Sequence, residues 1–282
     1  MRKGFKLHKL LSTGLVSIVV LIVLVLQIYP VLWVFSSSFK SHIEFKESSP
    51  FALPERFTLE NYLNSFERVN IGSYFFNSTI ITVVAVVMIA LLSAMVSFAL
   101  LKMRFRISKF LKVYFIAGIM IPIQVTLIPM FIIYQKLGML NTHWALILPQ
   151  VGFGLPMSVY MFTAFYKYIP GTILEAGIID GCGVYRLFHS IVIPMSKNTL
   201  ITVITMNAIF IWNEFVLSNT FISKTSMKTI PLAIYEFRGD YGLTDWGGTF
   251  SVIALTILPI LILYFMLNKS IISGMTAGAV KG

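Results

Sequence analysis

Long apolar runs separated by short charged segments dominate this chain. Five intervals contain no Asp, Glu, Lys or Arg, and they lie between Lys9 and Lys40, Arg68 and Lys102, Lys112 and Lys136, Lys136 and Lys167, and Asp245 and Lys269. Each exceeds the roughly 20 residues that a helix needs to cross a bilayer. A sixth run, 198–218, carries one charge, Glu214, near its end. The pattern predicts an all-α membrane protein with six transmembrane helices, near residues 12–35, 74–101, 111–135, 144–166, 198–218 and 248–268.

Composition supports this class. The 282 residues are 57% hydrophobic and 12% charged, with a mean hydropathy of +0.85, which is more apolar surface than a soluble domain of this length hides. We expect residues 1–282 to form a single transmembrane domain with its core near 74–268. The first run follows four basic residues, as a secretory signal would, but its length and the lack of a prompt small-x-small cleavage site favour an uncleaved anchor.

The basic residues predict an orientation. With the N-terminus inside, the inner segments hold 14 of the 22 Lys and Arg residues but only 2 of the 11 acids. This asymmetry follows the positive-inside rule and predicts a multi-pass protein with both termini and segment 167–197 in the cytoplasm. The net charge of +11 is then explained by topology and by attraction to membrane lipid, and no nucleic acid partner is needed.

The cytoplasmic segment contains a short helix with its ends marked. Thr172 stands three residues before Glu175, the spacing of a capping box, and Gly181 suits a left-handed C-terminal cap. We therefore predict a helix over 173–180 with Ile173, Leu174 and Ile178 on one apolar face. A helix this short is marginal alone, so we expect a docking partner. An ordinary capped loop helix is the alternative.

This stretch, GTILEAGIIDGCGVYRLFHSIVIP, resembles the EAA motif of binding-protein-dependent ABC importer permeases: E-A-A, three residues, G, nine residues, I-x-L-P. Gly177 departs from the second alanine and Ile193 from the leucine. The glycine should weaken the helix by about 0.8–1 kcal/mol. By this resemblance the residues that couple to an ATPase are Thr172, Glu175, Ala176, Gly177, Asp180, Gly181, Ile191, Ile193 and Pro194.

Other stretches resemble the carbohydrate subfamily, of the maltose and multiple-sugar type. They are the P-x-x-F-T-x-x-N-Y run from Pro54 to Tyr62, Asn77-Ser78, the W-N-E-F run from Trp212 to Phe215, and the ending G-M-T-A-G-A-V-K-G. The resemblance implies a type I ABC importer permease with a maltose-transporter-like transmembrane domain. It also implies import of a carbohydrate, with an oligosaccharide as the expected size class, across a prokaryotic cell membrane.

The resemblance further implies the partners of the chain. They are a second homologous permease subunit, two ATPase subunits and an extracytoplasmic sugar-binding protein. The sequence has no G-x-x-x-x-G-K-[ST] run, so ATP and Mg are expected on the ATPase and no cofactor on this chain. No metal-ligand spacing joins its four histidines and one cysteine, and no nucleophile has an evident base. We expect a transport subunit without enzymatic activity of its own.

Polar groups inside predicted spans are candidates for the substrate pathway, because they are costly in hydrocarbon and should face protein or water. These candidates are Asn77, Gln124, Asn207, Asn213 and Glu214. For Glu214, a solvated place at the outer rim is the alternative. By resemblance, the outer stretch 231–246 contacts the binding protein through Pro231, Tyr235, Tyr241 and Trp246, although it could be a plain connecting loop.

One other class of transporter stays open. An ion-coupled secondary transporter normally places ionisable groups at the middle of the membrane, and no acid lies deep in the predicted spans. Pro122, Pro129, Pro149 and Pro156 predict kinks that suit a moving transporter better than a rigid scaffold.

Overall fold

The computed structural model describes residues 2–103, 105–237 and 244–279, with side chains described from 14 to 267. The helices are α1 (Arg2–Ser38), α2 (His42–Glu47), α3 (Glu60–Arg68), α4 (Ile71–Lys102), α5 (Ser108–Gly118), α6 (Ile123–Lys136), α7 (Trp144–Tyr166), α8 (Gly171–Ile179), α9 (Val184–Leu187), α10 (Ile193–Met195), α11 (Lys197–Trp212), α12 (Val216–Phe221), α13 (Ile230–Ala233) and α14 (Trp246–Ala279). A π-helical turn, Phe188–Val192, joins α9 to α10, and 3₁₀ turns occupy Thr225–Met227 and Ile234–Phe237.

Among the described residues, four helical stretches are long and apolar enough to cross a membrane by themselves: Gly14–Ser38, Ile71–Lys102, Trp144–Tyr166 and Trp246–Leu267. Two pairs of helices, each bent at a short break, add two further spans if each pair is counted as one. Ser108–Gly118 and Ile123–Lys136 meet at 98°, and Val184–Met195 and Lys197–Trp212 meet at 79°. The six predicted spans match the upper count of these candidates.

Two of the predicted spans are not continuous helices. The run 111–135 is broken at residues 119–122, because the residue before a proline disfavours the helical conformation and Pro122 then leads into α6 with an extended ψ of 134°. The run 198–218 is interrupted after Trp212, and α12 begins at Val216. The first break agrees with the kink predicted at Pro122. The second was not predicted, because hydropathy measures the length of an apolar run and does not report its direction.

Residues 1–69 and 234–257 form one compact unit. Its aromatic centre is Phe250, whose ring meets Trp33 edge-on at 5.0 Å and stacks on Phe45 at 5.7 Å. Lys40 is buried, and its Nζ donates to the carbonyl oxygens of Ser49 at 3.3 Å and Pro50 at 3.2 Å. These contacts fold the segment that follows α1 into a closed loop.

Residues 70–233 and 258–282 form the second unit. Its core lies between helices α4, α7 and α11, which pack against one another and fully bury Ile89, Phe162 and Val203. Gly154 of α7 is a point of close approach, since a β-carbon there would lie 2.5 Å from Ile89 Cδ1 and 2.7 Å from Asn207 Oδ1. Small residues allow such close packing of membrane helices.

Candidate functional site

Helix α8 begins earlier than the sequence predicted. Pro170, with φ −60° and ψ 134°, occupies the position before the helix, and the first helical residue is Gly171. Thr172 therefore lies inside the first turn, and no side-chain cap hydrogen bond forms at this end. The predicted capping box between Thr172 and Glu175 is wrong, because the extended backbone at Pro170 starts the helix two residues too early for it.

The C-terminal end of α8 agrees with the prediction. Gly181 has φ +80°, a left-handed conformation that glycine adopts without steric cost. Its N–H donates to the carbonyl of Ile178 and the N–H of Cys182 donates to the carbonyl of Gly177, both at 2.9 Å. This pair of bonds is a Schellman motif, which ends the helix firmly and turns the chain towards α9.

The inner face of α8 consists of Leu174 and Gly177. A β-carbon on Gly177 would lie 2.6 Å from Leu187 Cδ2 and 3.0 Å from Ile191 Cδ1. The glycine is therefore a close-packing position between α8 and the segment after it, which adds a role to the weakened helix expected from the sequence. The predicted apolar face is only partly right, since Leu174 is buried while Ile173 and Ile178 are exposed.

The outer surface of this region is apolar as well. Ile179 at the end of α8 is 85% exposed and Tyr185 in α9 is 84% exposed, with Ile178 and Val184 also exposed. We call Ile178, Ile179, Val184 and Tyr185 the α8–α9 patch. Thr172, Glu175, Ala176 and Asp180 are exposed on the same short helix and its cap. Sequence reasoning missed Ile179 and Tyr185, because exposure of an apolar residue in a short helix depends on what packs beneath it.

The end of the motif joins this region to the membrane spans. Val192 is fully buried, Ile191 and Ile193 are half-buried, and Pro194 is exposed. The chain then bends at Ser196, whose hydroxyl donates to the carbonyls of Val192 at 2.8 Å and Ile193 at 3.1 Å. Leu174 and Val192 belong to the same apolar core as the span residue Val203. The motif segment thus shares the hydrophobic core of the second unit.

Asn77 holds the loop around residues 226–228 by hydrogen bonds. It is buried, and its Nδ2 donates to the carbonyls of Ser226 at 2.9 Å and Lys228 at 3.0 Å. Its Oδ1 lies 2.9 Å from Nε2 of His143, and since an amide oxygen only accepts hydrogen bonds, His143 Nε2 is the donor. Burial lowers the pKa of His143 below its ordinary value of 6.5.

The other candidates for the substrate pathway differ from one another in burial and in their hydrogen bonds. Asn207 is buried and donates to Ser158 Oγ at 3.0 Å, which ties α11 to α7. Gln124 and Asn213 are exposed, and Asn213 donates to the carbonyl of Ile209.

Glu214 has a defined structural contact. Its two carboxylate oxygens accept from the N–H groups of Leu217 at 2.7 Å and Ser218 at 3.2 Å. The side chain therefore caps α12, where a negative charge at the helix N-terminus is favourable. This cap gives Glu214 a structural role at the start of α12.

The candidates for the binding-protein contact also differ among themselves. In the second unit, Pro231 is buried in α13, and Ile230 N–H donates to Ser78 Oγ at 2.9 Å. Its burial argues against the direct contact predicted for it. In the first unit, the rings of Tyr235 and Trp246 are about half exposed. Tyr241 lies outside the described residues.

Within the described parts of the chain, no group of three or more His, Cys, Asp or Glu residues could hold a metal ion. Cys182 is a half-buried free thiol in the turn after α8.

The membrane-length helices and the loop helix packed onto them define a multi-pass membrane protein. The chain belongs to the family described as binding-protein-dependent transport system inner membrane component, which matches residues 87–276. It is therefore a permease subunit of an ABC importer, and this family membership supports that function over the ion-coupled alternative.

Similar proteins extend over almost the whole chain. An ABC transporter permease protein, ORF2, of Caldicellulosiruptor sp. (strain Rt8B.4) is 38% identical over 90% of this chain and 91% of its own. The diacetylchitobiose uptake system permease protein NgcG of Streptomyces coelicolor is 35% identical over 91% and 85%. The fold matches a crystal structure of a bacterial ABC transporter involved in the import of the acidic polysaccharide alginate, with a TM-score of 0.78, 21% identity and coverage of 91% and 95%.

Proposed function

We propose that this permease imports a carbohydrate, of oligosaccharide size, into the cytoplasm of a prokaryotic cell. The support comes from a relative with 35% identity that is named for the uptake of diacetylchitobiose, together with the sugar-subfamily stretches of the sequence. Its partners would be an extracytoplasmic sugar-binding protein, a second homologous permease and two ATPase subunits that bind ATP and Mg. The distribution of Lys and Arg supports cytoplasmic termini.

The observation that carries the coupling role is the α8–α9 patch beside a buried Leu174 and Gly177. Apolar surface exposed to water is unfavourable by roughly 25 cal/mol for each Å², so a patch of this kind should be covered by a partner. We assign that partner as the ATPase, which receives α8 in a cleft. The exposed Thr172, Glu175, Ala176, Asp180 and Gly181 would line the same contact.

The energy for transport would come from nucleotide binding. Shifting a two-state transporter from 1:99 to 99:1 takes about 5.5 kcal/mol of differential binding, while a helix cap contributes about 1 kcal/mol. Helix α8 therefore transmits free energy that the ATPase supplies. Its packing through Ile191 and Val192 onto the core gives a direct route from the docked helix to the spans.

The structure changes which residues we propose for substrate and receptor contacts. Asn77 and Asn207 are buried and hydrogen-bonded, and Glu214 caps α12. The exposed Gln124 and Asn213 are therefore the better substrate-pathway candidates. Tyr235 and Trp246 present exposed rings for the binding protein, and aromatic residues of this kind are common at interfaces.

Uptake into proteoliposomes tests the proposal. The complete transporter, with its binding protein outside and ATP inside, is offered a panel of labelled mono- and oligosaccharides. We expect ATP-dependent uptake of one oligosaccharide class that persists when a proton ionophore is added. Uptake driven by a proton or sodium gradient without ATP would contradict the proposed mechanism, and ATP-dependent uptake confined to non-carbohydrates would contradict the substrate class.

A further inference from the structure

Helix α3, Glu60–Arg68, is packed with its polar side inwards. Asn61 and Ser65 are its buried residues, while Leu63 is 63% and Phe66 54% exposed. An amphipathic helix on a soluble core shows the opposite arrangement, with the apolar stripe facing the protein. The exposed apolar stripe of α3 therefore needs its own explanation.

Hydrogen bonds hold the polar side of α3 in place. Asn61 Nδ2 donates to the carbonyls of Ser38 at 2.9 Å and Lys40 at 2.7 Å. The hydroxyl of Ser65 lies 2.8 Å from that of Ser251. Buried polar groups with satisfied hydrogen bonds fix the rotation of a helix, because turning it would leave those groups unpaired. The outward direction of Leu63 and Phe66 is thus set by specific bonds.

The same contacts place α3 at the end of a membrane-length helix. Ser38 is the last residue of the stretch Gly14–Ser38, and its hydroxyl lies 2.7 Å from that of Tyr62 in α3. The rings of Phe39 and Tyr62 are 5.5 Å apart. Helix α3 is therefore attached where a membrane-spanning segment leaves the hydrocarbon.

Three sectors surround the axis of α3. At 100° for each residue, Leu59, Leu63 and Phe66 lie about 140–200° from Asn61 and form one ridge. All three are exposed. On the same scale the polar residues Glu60, Asn64 and Glu67 lie about 240–300° from Asn61, and they are exposed too. A helix with a protein side, an apolar side and a charged side matches an element that lies along a membrane surface.

We propose that the ridge of Leu59, Leu63 and Phe66 inserts into the lipid at the boundary between headgroups and acyl chains. The apolar surface of α1, including the exposed Tyr29 and Leu32, leads along the span towards the end at which α3 is attached. The ridge extends this lipid-facing surface sideways, and Glu60, Asn64 and Glu67 face water. A second protein subunit covering the ridge is the competing occupant, and it would not need the charged sector beside the ridge.

Quenching by brominated lipid tests the proposal. The single cysteine is removed by Cys182→Ser, and a fluorophore is attached after Leu63→Cys or Phe66→Cys. Asn64→Cys and Glu67→Cys on the charged sector are the matched controls. Since all four side chains are exposed, labels there disturb little packing. The full chain, with the subunits that copurify, is placed in nanodiscs whose lipids carry bromine near the top of the acyl chain.

We expect the two ridge probes to lose fluorescence by about twofold or more while the two control probes lose little, because only the ridge reaches the acyl boundary. Aqueous iodide should give the reverse order. Ridge probes that iodide quenches and brominated lipid does not would place the ridge in water and overturn the proposal. Ridge probes shielded from both quenchers would overturn it in favour of a covering subunit. Leu59→Cys provides an independent third probe of the ridge.

Discussion

Gly177 of α8 faces Leu187 of α9 so closely that a β-carbon on the glycine would lie 2.6 Å from Leu187 Cδ2. The neighbouring atoms are the ends of flexible side chains, Leu187 Cδ2 and Ile191 Cδ1. A methyl group can be accommodated if they rotate, whereas a larger side chain would force α8 away from the segment that connects it to the spans.

Gly177→Leu should therefore abolish most ATP-dependent transport, and Gly177→Ala should retain most of it. Overpacking by several carbons destabilises by about 1–3 kcal/mol, while alanine regains about 0.8–1 kcal/mol of helix propensity. Sugar uptake by the reconstituted transporter measures the effect, with immunoblots of membranes confirming insertion. Equal uptake by the two variants would show that this contact does not matter.

Gly181→Pro should uncouple transport from ATP hydrolysis. Proline fixes φ near −65° and has no N–H, whereas Gly181 has φ +80° and donates to Ile178. The matched control is Gly183→Ala, two residues away, where the backbone has φ −69° and nothing lies within 4 Å of an added β-carbon. We expect the control to transport at the parental rate; parental transport by Gly181→Pro would refute the role of this cap.

Ile179→Asp should weaken copurification of the ATPase subunits by tenfold or so, because a charge at the centre of a buried contact adds a desolvation penalty of a kcal/mol or more. Ile179→Leu keeps the apolar surface and should restore binding. Pull-down of the ATPase from detergent extracts provides the measurement. Undiminished copurification of the Asp variant would mean that the α8–α9 patch faces something else.

Asn207→Ala should lower the thermal stability of the purified chain, whereas Asn213→Ala should leave it unchanged. The first removes a buried bond to Ser158, worth about 0.6–1.7 kcal/mol inside membrane proteins. The second removes an exposed amide that donates within its own helix. A fluorescence-based melt in detergent compares them, and a substrate-pathway role for Asn213 would appear as a transport defect without a shift in the melt.

Stability should fall as the pH drops below about 6.5. Burial lowers the pKa of His143, so between that lowered pKa and 6.5 the unfolded chain binds a proton that the folded chain does not. Stability from the neutral ring is complete above 6.5 and is lost as the pH falls towards the folded pKa. Melts of the parent and of His143→Gln over pH 5–8 test this; the variant should show a shallower loss on the acid side, and identical slopes would contradict it.

Local chemistry allowed several features to be predicted from the sequence. The charge-free intervals located the helices of 74–101 and 144–166 to within three residues of their observed bounds. Gly181 correctly predicted the left-handed end of α8, because few other residues adopt that conformation. The start of the helix was mispredicted because Thr172 and Pro170 are competing start signals two residues apart, and only the backbone conformation decides between them.

Features set by tertiary packing could not be predicted in the same way. A polar residue in a span indicates a contact with protein or water without saying which, and Asn77 and Asn207 turned out to hold internal hydrogen bonds. The apolar spacing of Leu59, Leu63 and Phe66 would place them inside a soluble protein. Their exposure follows from the bonds of Asn61 to residues about twenty positions away, which no local pattern reveals.

The contact at Gly154 limits how the transporter can move. Ile89 Cδ1 and Asn207 Oδ1 approach this glycine so closely that an added methyl group would require both side chains to move. Separating α4, α7 and α11 here would open an empty space in a densely packed interior, which is strongly unfavourable. We therefore expect α4, α7 and α11 to move together as one rigid body when the transporter alternates between the two sides of the membrane.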